Sequence, residues 1–410
     1  KMSISKLKVD NHDVLITREI EQAPVKTMVR ELVQNGFEAD REYKDQVKTI
    51  EFYGTEMLLD DGSMVRKLSI KNNGVGMTAL ELMRSTNLSA SIRKTMGKTN
   101  NYGIGGKVSG LRSNPVGMRY RSCSSGVVSE VTLVREGDCY GRMKDDDLNE
   151  DVFDVSDEYD TLDEDWTEVT LYGNQVEDDT VVKPFEFDVQ SNWLNILVNS
   201  RYFRYPKNTQ VIYHEGILSA SQSRRVLLSW EEILLTKSAV THEVVDSGDG
   251  YQVHYALTEA AGWNVHRHSA ASIGAIVYKN EMFDVATSNN SKQFTRAWGQ
   301  IAPKLGIPFG SRDLCVFVEL DDAYPVEMNN YRNEIQDSSG NKVCLEDFGS
   351  AVSLLMPDWV RAFIDGERNK HNGSNDNMKK RVLDLIKDLL LSQKQLKPKT
   401  NGEQQIVLGH

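Results

Sequence analysis

The stretch "VRELVQNGFEAD", residues 29–40, has the spacing of a helix but carries residues that a plain core helix does not need. Val25, Met28, Val29, Leu32 and Val33 follow the i, i+3, i+4, i+7 pattern of a buried stripe, and Pro24 suits a helix N1 position. Glu31, Asn35 and Glu38 then recur at i, i+4 and i+7. Successive turns therefore set a carboxylate, an amide and a second carboxylate on one line about 100° from the stripe. A solvated face accounts for such a line unless other segments of the chain converge on it.

The chain has 410 residues with 39% apolar content, enough for a substantial core and for two or three domains. Sixty acidic against 48 basic residues give a net charge of −12, which opposes non-specific attraction to phosphate backbones over the molecule as a whole. Cys123, Cys139, Cys315 and Cys344 lie far apart without a CxxC pair, so neither a zinc site nor a disulfide framework is indicated and reduced thiols are expected. The opening residues are charged and no apolar run approaches the roughly 18 residues of a span. No secretory signal and no membrane segment are predicted, and a cytoplasmic location is expected. Lys1 ahead of Met2 reads as an added residue and "VLGH" lacks a natural stop signal, so the chain is expected to be the front part of a longer protein.

Beyond the first helix, "VKTIEFYG" and "MVRKLSI" read as strands joined through "LLDDGS", a hairpin-type Asp-Gly turn. The second strand runs into "KNNGVGMT", and a polar segment over about 78–102 is expected to be a loop or lid before a helix begins in "NYGIGGKVSGL". "GMRYRS", "VVSEVTLV" and "CYGRMK" predict an antiparallel meander, and "WTEVTLYG" is expected to close the sheet. Residues 145–165 hold twelve acids and read as a solvated insertion with no core of its own. A first domain is placed at 1–214. A second α/β domain is placed at 215–364, with strands in "QVHYALTE", "GAIVYKNEMF" and "LCVFVELDD" and helices around 292–304 and 345–363. Residues 365–377 have linker composition, and a lysine-rich helix is expected near 378–396 within a 365–410 tail.

Two glycine segments line up with the opening helix. "NNGVGM", residues 72–77, follows a strand, and Gly74 and Gly76 are expected to let backbone approach a flat ligand. "YGIGGKVSG", residues 102–110, places Gly103, Gly105 and Gly106 at a helix start, where free N–H groups favour phosphate. It is not a Walker A loop, because Asn101 and Val108 stand where that motif needs glycine and a hydroxyl residue.

These segments together resemble the Bergerat-fold ATPases, the superfamily of DNA gyrase, the ninety-kilodalton heat-shock chaperones, histidine kinases and the mismatch-repair protein MutL. The first motif of that family, Glu-x-x-x-Asn-x-x-Asp-Ala, stands here as Glu31, Asn35, Glu38 and Ala39. The second, Asp-x-Gly-x-Gly, stands as Asn72, Gly74 and Gly76 with Met77 following, and the Gly-x-Gly turn as Gly103 and Gly105. Thr167 in "WTEVTL" matches a strand threonine that supports the adenine side, so the resemblance covers about 20–172. It implies an α+β two-layer sandwich that binds ATP with Mg²⁺. Asn35 would hold the metal and Glu31 would deprotonate the attacking water. Gly106 and Lys107 would meet phosphate charge, and Glu38, one methylene longer than the usual Asp, would stand behind the site. Asn72 is the departure: an amide can accept and also donate, so guanine is no longer excluded, although ATP remains the expectation.

"EMNNYRNEI", residues 327–335, follows the strand "LCVFVEL" and resembles a middle-domain segment of the heat-shock chaperones, and the glycine turn resembles that of the phage rapid-lysis protein rIIA. The resemblance makes Arg332 the candidate that reaches a γ-phosphate from a transducer-like or middle-like second domain. An ATP-operated clamp follows, with a nucleotide-dependent homodimer and a protein client as expected partners. The alternatives are a histidine kinase, for which only His12 precedes the motif, and a nucleotide-gated scaffold. The latter could act on nucleic acid through Arg368, Lys370, Lys379, Lys380, Arg381, Lys387, Lys394, Lys397 and Lys399, although a solvated helix has the same composition. His266 and His268 are neighbours without a third ligand and read as surface histidines.

Overall fold

Two helices open the fold, α1 (His12–Gln22) and α2 (Thr27–Glu38), the second being the helix of the quoted stretch. The structure is a computed structural model that describes residues 12–39, 46–87, 105–217, 223–236, 241–258, 272–288, 294–329, 331–372 and 383. Helix α2 begins three residues after Pro24. The Thr27 amide and hydroxyl both donate to the Pro24 carbonyl, so the proline sits in the turn ahead of the helix and not at N1. Met28, Val29, Leu32 and Val33 are buried as the stripe predicts, but Arg30 and Glu31 are buried as well. A second surface must therefore cover α2.

The first sheet supplies the floor. Its strands are β1 (Lys48–Leu58), β2 (Met64–Asn72), β3 (Met118–Ser124), β4 (Val127–Glu136), β5 (Cys139–Arg142), β6 (Phe153–Asp154), β7 (Trp166–Leu171), β8 (Thr209–Tyr213) and β9 (Arg225–Leu227). They run in the order β5-β4-β3-β7-β2-β1-β8-β9, with β6 on β4, so β7 is a central strand and not the one that closes the sheet. All pairings are antiparallel except β1 with β8. Alternation sends Ile50, Phe52, Leu68, Ile70, Val169 and Leu171 to one face, where α1, α2, α4 (Gly105–Ser113) and α5 (Trp193–Asn199) pack. A sheet covered by helices on one face is the two-layer α/β sandwich that the sequence predicts. Helix α3 (Ala79–Ser85) occupies the first part of the expected loop, because Thr78 and Glu81 form a reciprocal capping box and Leu82 is buried.

The second sheet contains β10 (Thr241–Asp246), β11 (Tyr251–Leu257), β12 (Ile273–Tyr278), β13 (Glu281–Thr287), β14 (Arg296–Ala297) and β15 (Leu314–Leu320), in the order β10-β11-β15-β12-β13-β14. Strands β12 and β15 are parallel and buried along nearly their whole length, as a centre covered on both sides requires. Trp298, Leu305, Phe348, Val352 and Val360 cover one face, and α6 (Trp230–Thr236) with Phe203 covers the other. A small hairpin of β16 (Val326–Met328) and β17 (Ile335–Asp337) follows.

Several boundaries differ from expectation. Strand β9 carries the first sheet past residue 214, while Phe203 packs with Trp230 beneath the second sheet. Among the described residues of the helix expected over 292–304, Trp298–Ile301 are helical and a 3₁₀ turn, Ala302–Leu305, follows, after the short strand β14. Residues 365–372 continue a helix from 358 and are not a linker, since Val360, Phe363 and Ile364 pack on the second core. The expected tail helix and the His266–His268 pair lie outside the described residues. Among the described residues, no helix is long and apolar enough to cross a membrane.

The acidic segment 145–165 also departs from its predicted solvated state. Val155, Tyr159 and Leu162 pack on Cys123, Val128 and Trp166, on the sheet face opposite the helices. The Tyr159 ring lies 5.4 Å from that of Trp166, and its hydroxyl accepts from Arg121. Tyr159→Ala should therefore cost about 1–3 kcal/mol in urea denaturation, as loss of a packed aromatic does. A solvated insertion would lose under roughly 0.5 kcal/mol.

Candidate functional site

The site forms where three strand ends meet the C-terminal half of α2. Strand register aligns Asn72 of β2 with Thr167 of β7, and Thr167 with Ser122 of β3. Three residues remote in sequence thus share one row across adjacent strands. The Asn72 carbonyl oxygen accepts from the Gly74 amide at 3.1 Å, and its NH₂ makes a long contact of 3.4 Å to the Thr167 carbonyl. Ser122 is fully buried; its hydroxyl accepts from the Met77 amide at 2.8 Å and donates to the Trp166 carbonyl at 3.1 Å. The Thr167 hydroxyl lies 2.7 Å from it and serves as donor between the two.

Close approach of the backbones builds this corner. A Cβ on Gly36 would stand 2.3 Å from Ile50 Cδ1 and 3.3 Å from Asn72 Cβ, so only glycine lets α2 lie this near the end of β2. A Cβ on Gly76 would stand 1.5 Å from the Cys123 carbonyl oxygen. The glycine expected to make room for a flat ligand therefore makes room for β3. Asn35 is exposed at the lip, and among the described residues its side-chain amide has no hydrogen-bond partner. Glu38 is half-buried and accepts from Gln34 at 2.8 Å, which places it behind the lip.

Glu31, one turn before Asn35, is buried and engaged. Arg30 Nη1 donates to its Oε1 at 2.5 Å. The same guanidinium grips Glu281 of the second sheet with two bonds, Nε to Oε2 at 2.9 Å and Nη2 to Oε1 at 2.5 Å. Arg201, just beyond α5, donates through Nε to Glu281 Oε2 at 2.5 Å and through Nη2 to the Arg332 carbonyl at 2.6 Å. The Tyr202 hydroxyl donates to the Arg30 carbonyl at 3.0 Å. This cluster is what covers the second side of α2.

Arg332 sits in the turn between β16 and β17 with a left-handed φ of 52°. Tyr331 of that turn packs against the first domain's core, so the turn is docked on the helical layer. Lys107 stands differently from expectation: it is buried, and its ammonium donates to the Ser85 carbonyl at 2.5 Å and to that of Asn87. Burial lowers its pKa to about 8. In this structure it ties down the end of α3 instead of facing an open phosphate pocket. Gly105 and Gly106 form the first turn of α4, and Gly103 lies outside the described residues.

Arg30, Ser122, Arg201 and Glu281 are members of this region that the sequence did not single out. Arg30 adjoins Glu31 and could have been weighed as its partner. Nothing in sequence links it to Glu281, 251 positions away. No known family model matches the chain, and no curated protein is significantly similar to it.

Amide oxygens are hard donors of the kind that a divalent cation accepts. Asn35 offers an exposed amide oxygen, the Asn72 oxygen accepts from the Gly74 amide, and helix α4 packs against α2 in the same helical layer. Among the described residues, no cluster of three histidine, cysteine or carboxylate ligands is present, so a site built on such side chains alone is not indicated.

Two expectations follow from this geometry. Gly76→Ala should disrupt the junction with β3, losing several kcal/mol in chemical denaturation, because backbone and not a flexible side chain blocks the added methyl. Acid should release the Glu281 cluster. Burial by itself would raise the Glu281 pKa, but Arg201 and Arg30 overcome this and hold it at about 2 against an ordinary 4.5. Its contribution, on the order of 3 kcal/mol, is present above pH 4.5 and lost as pH falls from there through about 2. Glu281→Gln should flatten that part of the stability profile relative to the parent chain.

Proposed function

We propose that the chain is a Mg²⁺-dependent ATPase of the Bergerat kind, working as a clamp whose nucleotide state controls how its two domains dock. The observation that supports this reading is that Asn72 pairs in register with Thr167 while Gly36, next to Asn35, lies against Asn72, with Glu31 one turn away on the same helix. Adenine would be read by the Asn72 carbonyl together with Thr167. Asn35 would hold Mg²⁺, which when bound neutralises phosphate charge.

Glu31 would take a proton from water as that oxygen bonds to the γ-phosphorus and the bridge to the β-phosphate breaks. Arg30 occupies one Glu31 oxygen, and the other makes no hydrogen bond among the described residues. Arg332 would supply positive charge from the second domain. A homodimer and a protein client remain part of this proposal, as does action in the cytoplasm.

The Arg30–Glu31 pair favours one alternative, a nucleotide-gated scaffold in which binding alone drives the clamp and the carboxylate is never released as a base. Nucleic-acid binding through the tail has less support: Arg368 and Lys370, the tail cations within the described residues, pair with Asp365 and Glu367.

Glu31→Ala should keep Mg-ATP binding and lower turnover by about 10²–10⁴-fold, the worth of a positioned base. Asn35→Ala should weaken binding itself, as calorimetry with and without Mg²⁺ reads directly. A parent chain that binds but shows no turnover above the Glu31→Ala background would establish the scaffold. Asn72→Asp should preserve or strengthen ATP binding, since a carboxylate accepts more strongly than an amide. Parent preference for GTP that vanishes in this variant would overturn the adenine assignment.

A further inference from the structure

We propose that Glu281 is the positioning residue through which the second sheet sets Glu31 and Arg332 together, holding α2 through Arg30 and the Arg332 turn through Arg201. The proposal rests on the ATPase reading and adds to it the element that couples the two candidate catalytic groups.

Glu281 is fixed before its side chain makes any contact. It opens β13 directly after a tight turn in which Lys279 and Asn280 both take left-handed φ, the geometry of a two-residue hairpin. The residues after α5 lie along this tip. Met282 donates to the Arg201 carbonyl at 2.7 Å, Phe203 donates to the Asn280 carbonyl at 3.0 Å, and Tyr202 forms a bridge with Glu281. The hairpin tip is thus built into the junction of the two domains by backbone bonds.

From that fixed point the side chains act as rigid links. A guanidinium is planar and its donors form a fork of fixed geometry. Arg30 spends one edge, Nε and Nη2, on Glu281 and its remaining terminal nitrogen on Glu31. The angle between those two carboxylates is therefore set by one rigid plane. Arg201 spends Nε on the same Glu281 and Nη2 on the Arg332 carbonyl. That carbonyl belongs to a left-handed residue in a turn closed by the bond from Arg332 N–H to Asn329 O, at 2.9 Å. If the hairpin tip withdrew, Arg30 would retain only Glu31, and the Arg332 turn would lose its tie to the first domain. Docking of the second sheet therefore prepares both groups in one step.

The test uses the full chain with Mg-ATP and two variants, Glu281→Gln and Arg201→Lys, each checked for folding by thermal melting. Glu281→Gln should lower kcat by roughly tenfold or more with ATP affinity within about threefold. Arg201→Lys should lose part of that rate, since it keeps charge but not the fork. The double variant should be no slower than Glu281→Gln alone, because both changes cut one linkage. Hydrogen exchange of residues 326–337 should rise in both variants even without nucleotide.

Normal turnover in a folded Glu281→Gln chain, or losses that multiply in the double variant, would overturn the proposal. If Glu281→Gln does not fold, Arg201→Lys decides by the same readouts. A parent chain that neither binds nor hydrolyses ATP removes the ATPase reading and the catalytic half of the proposal with it. Exchange then decides the mechanical half on its own, and unchanged exchange at 326–337 in both variants overturns that too.

Discussion

The structure depends on one carboxylate held between two arginines where its two sheets meet. Removing charges from water is costly, and a buried ion pair repays that cost only when its geometry is good and its remaining donors are used. Here the balance is met locally: Arg30 and Arg201 supply two positive charges, Glu31 and Glu281 two negative ones, and the backbone carbonyls of Arg332 and Met282 take further N–H groups. Such a cluster adds little to stability over a well-packed apolar joint. Deleting one member costs far more, about 3–5 kcal/mol, because it strands a buried charge. A joint of this kind specifies one docking arrangement and penalises every neighbouring one.

That specificity reaches the corner of Asn35 and Asn72 through α2. The helix is squeezed between the first sheet, which it can approach only because Gly36 lacks a side chain, and the ionic joint on its other side. Asn35 and Glu31 are carried on the same rigid segment, so neither can shift along the sheet independently of the other. The strands below are held with equal care. Ser122 ties the Met77 amide, the Thr167 hydroxyl and the Trp166 carbonyl into one buried network, and Gly76 lies against the Cys123 carbonyl. The corner is a meeting of three backbones, and its open side belongs to Asn35.

The parts visible in the sequence were those with a local signature. Periodicity located α2 and the strands, the turns separated the strands of the meander, and the segments "GAIVY" and "LCVFVEL" marked strands of a second α/β unit. The spacing of Glu31, Asn35 and Glu38 singled out a polar line that the structure places at a site lip and a domain joint. Local signatures also misled where a longer-range contact outweighed them. The acids of 145–165 suggested solvation, yet Val155, Tyr159 and Leu162 are enough to hold the segment on Trp166. Residues 365–372 have linker composition but extend a helix already anchored by Val360 and Ile364. Lys107 followed glycines and so suggested phosphate, whereas two carbonyls at the end of α3 claim it. The Glu281 cluster had no sequence signature at all, because its members meet only when two separately formed sheets dock.

Arg30 also determines how Glu31 is held. Arg30 binds Glu281 at two points and Glu31 at one through separate nitrogens, so the docked arrangement satisfies both carboxylates at once. Withdrawal of the second sheet would leave Arg30 only Glu31, and the plane that orients the pair would lose its anchor. Domain docking and the orientation of Glu31 are then two effects of one set of hydrogen bonds. On the proposed reading no separate signal need reach Glu31 when the two sheets meet, since docking itself fixes the plane of Arg30.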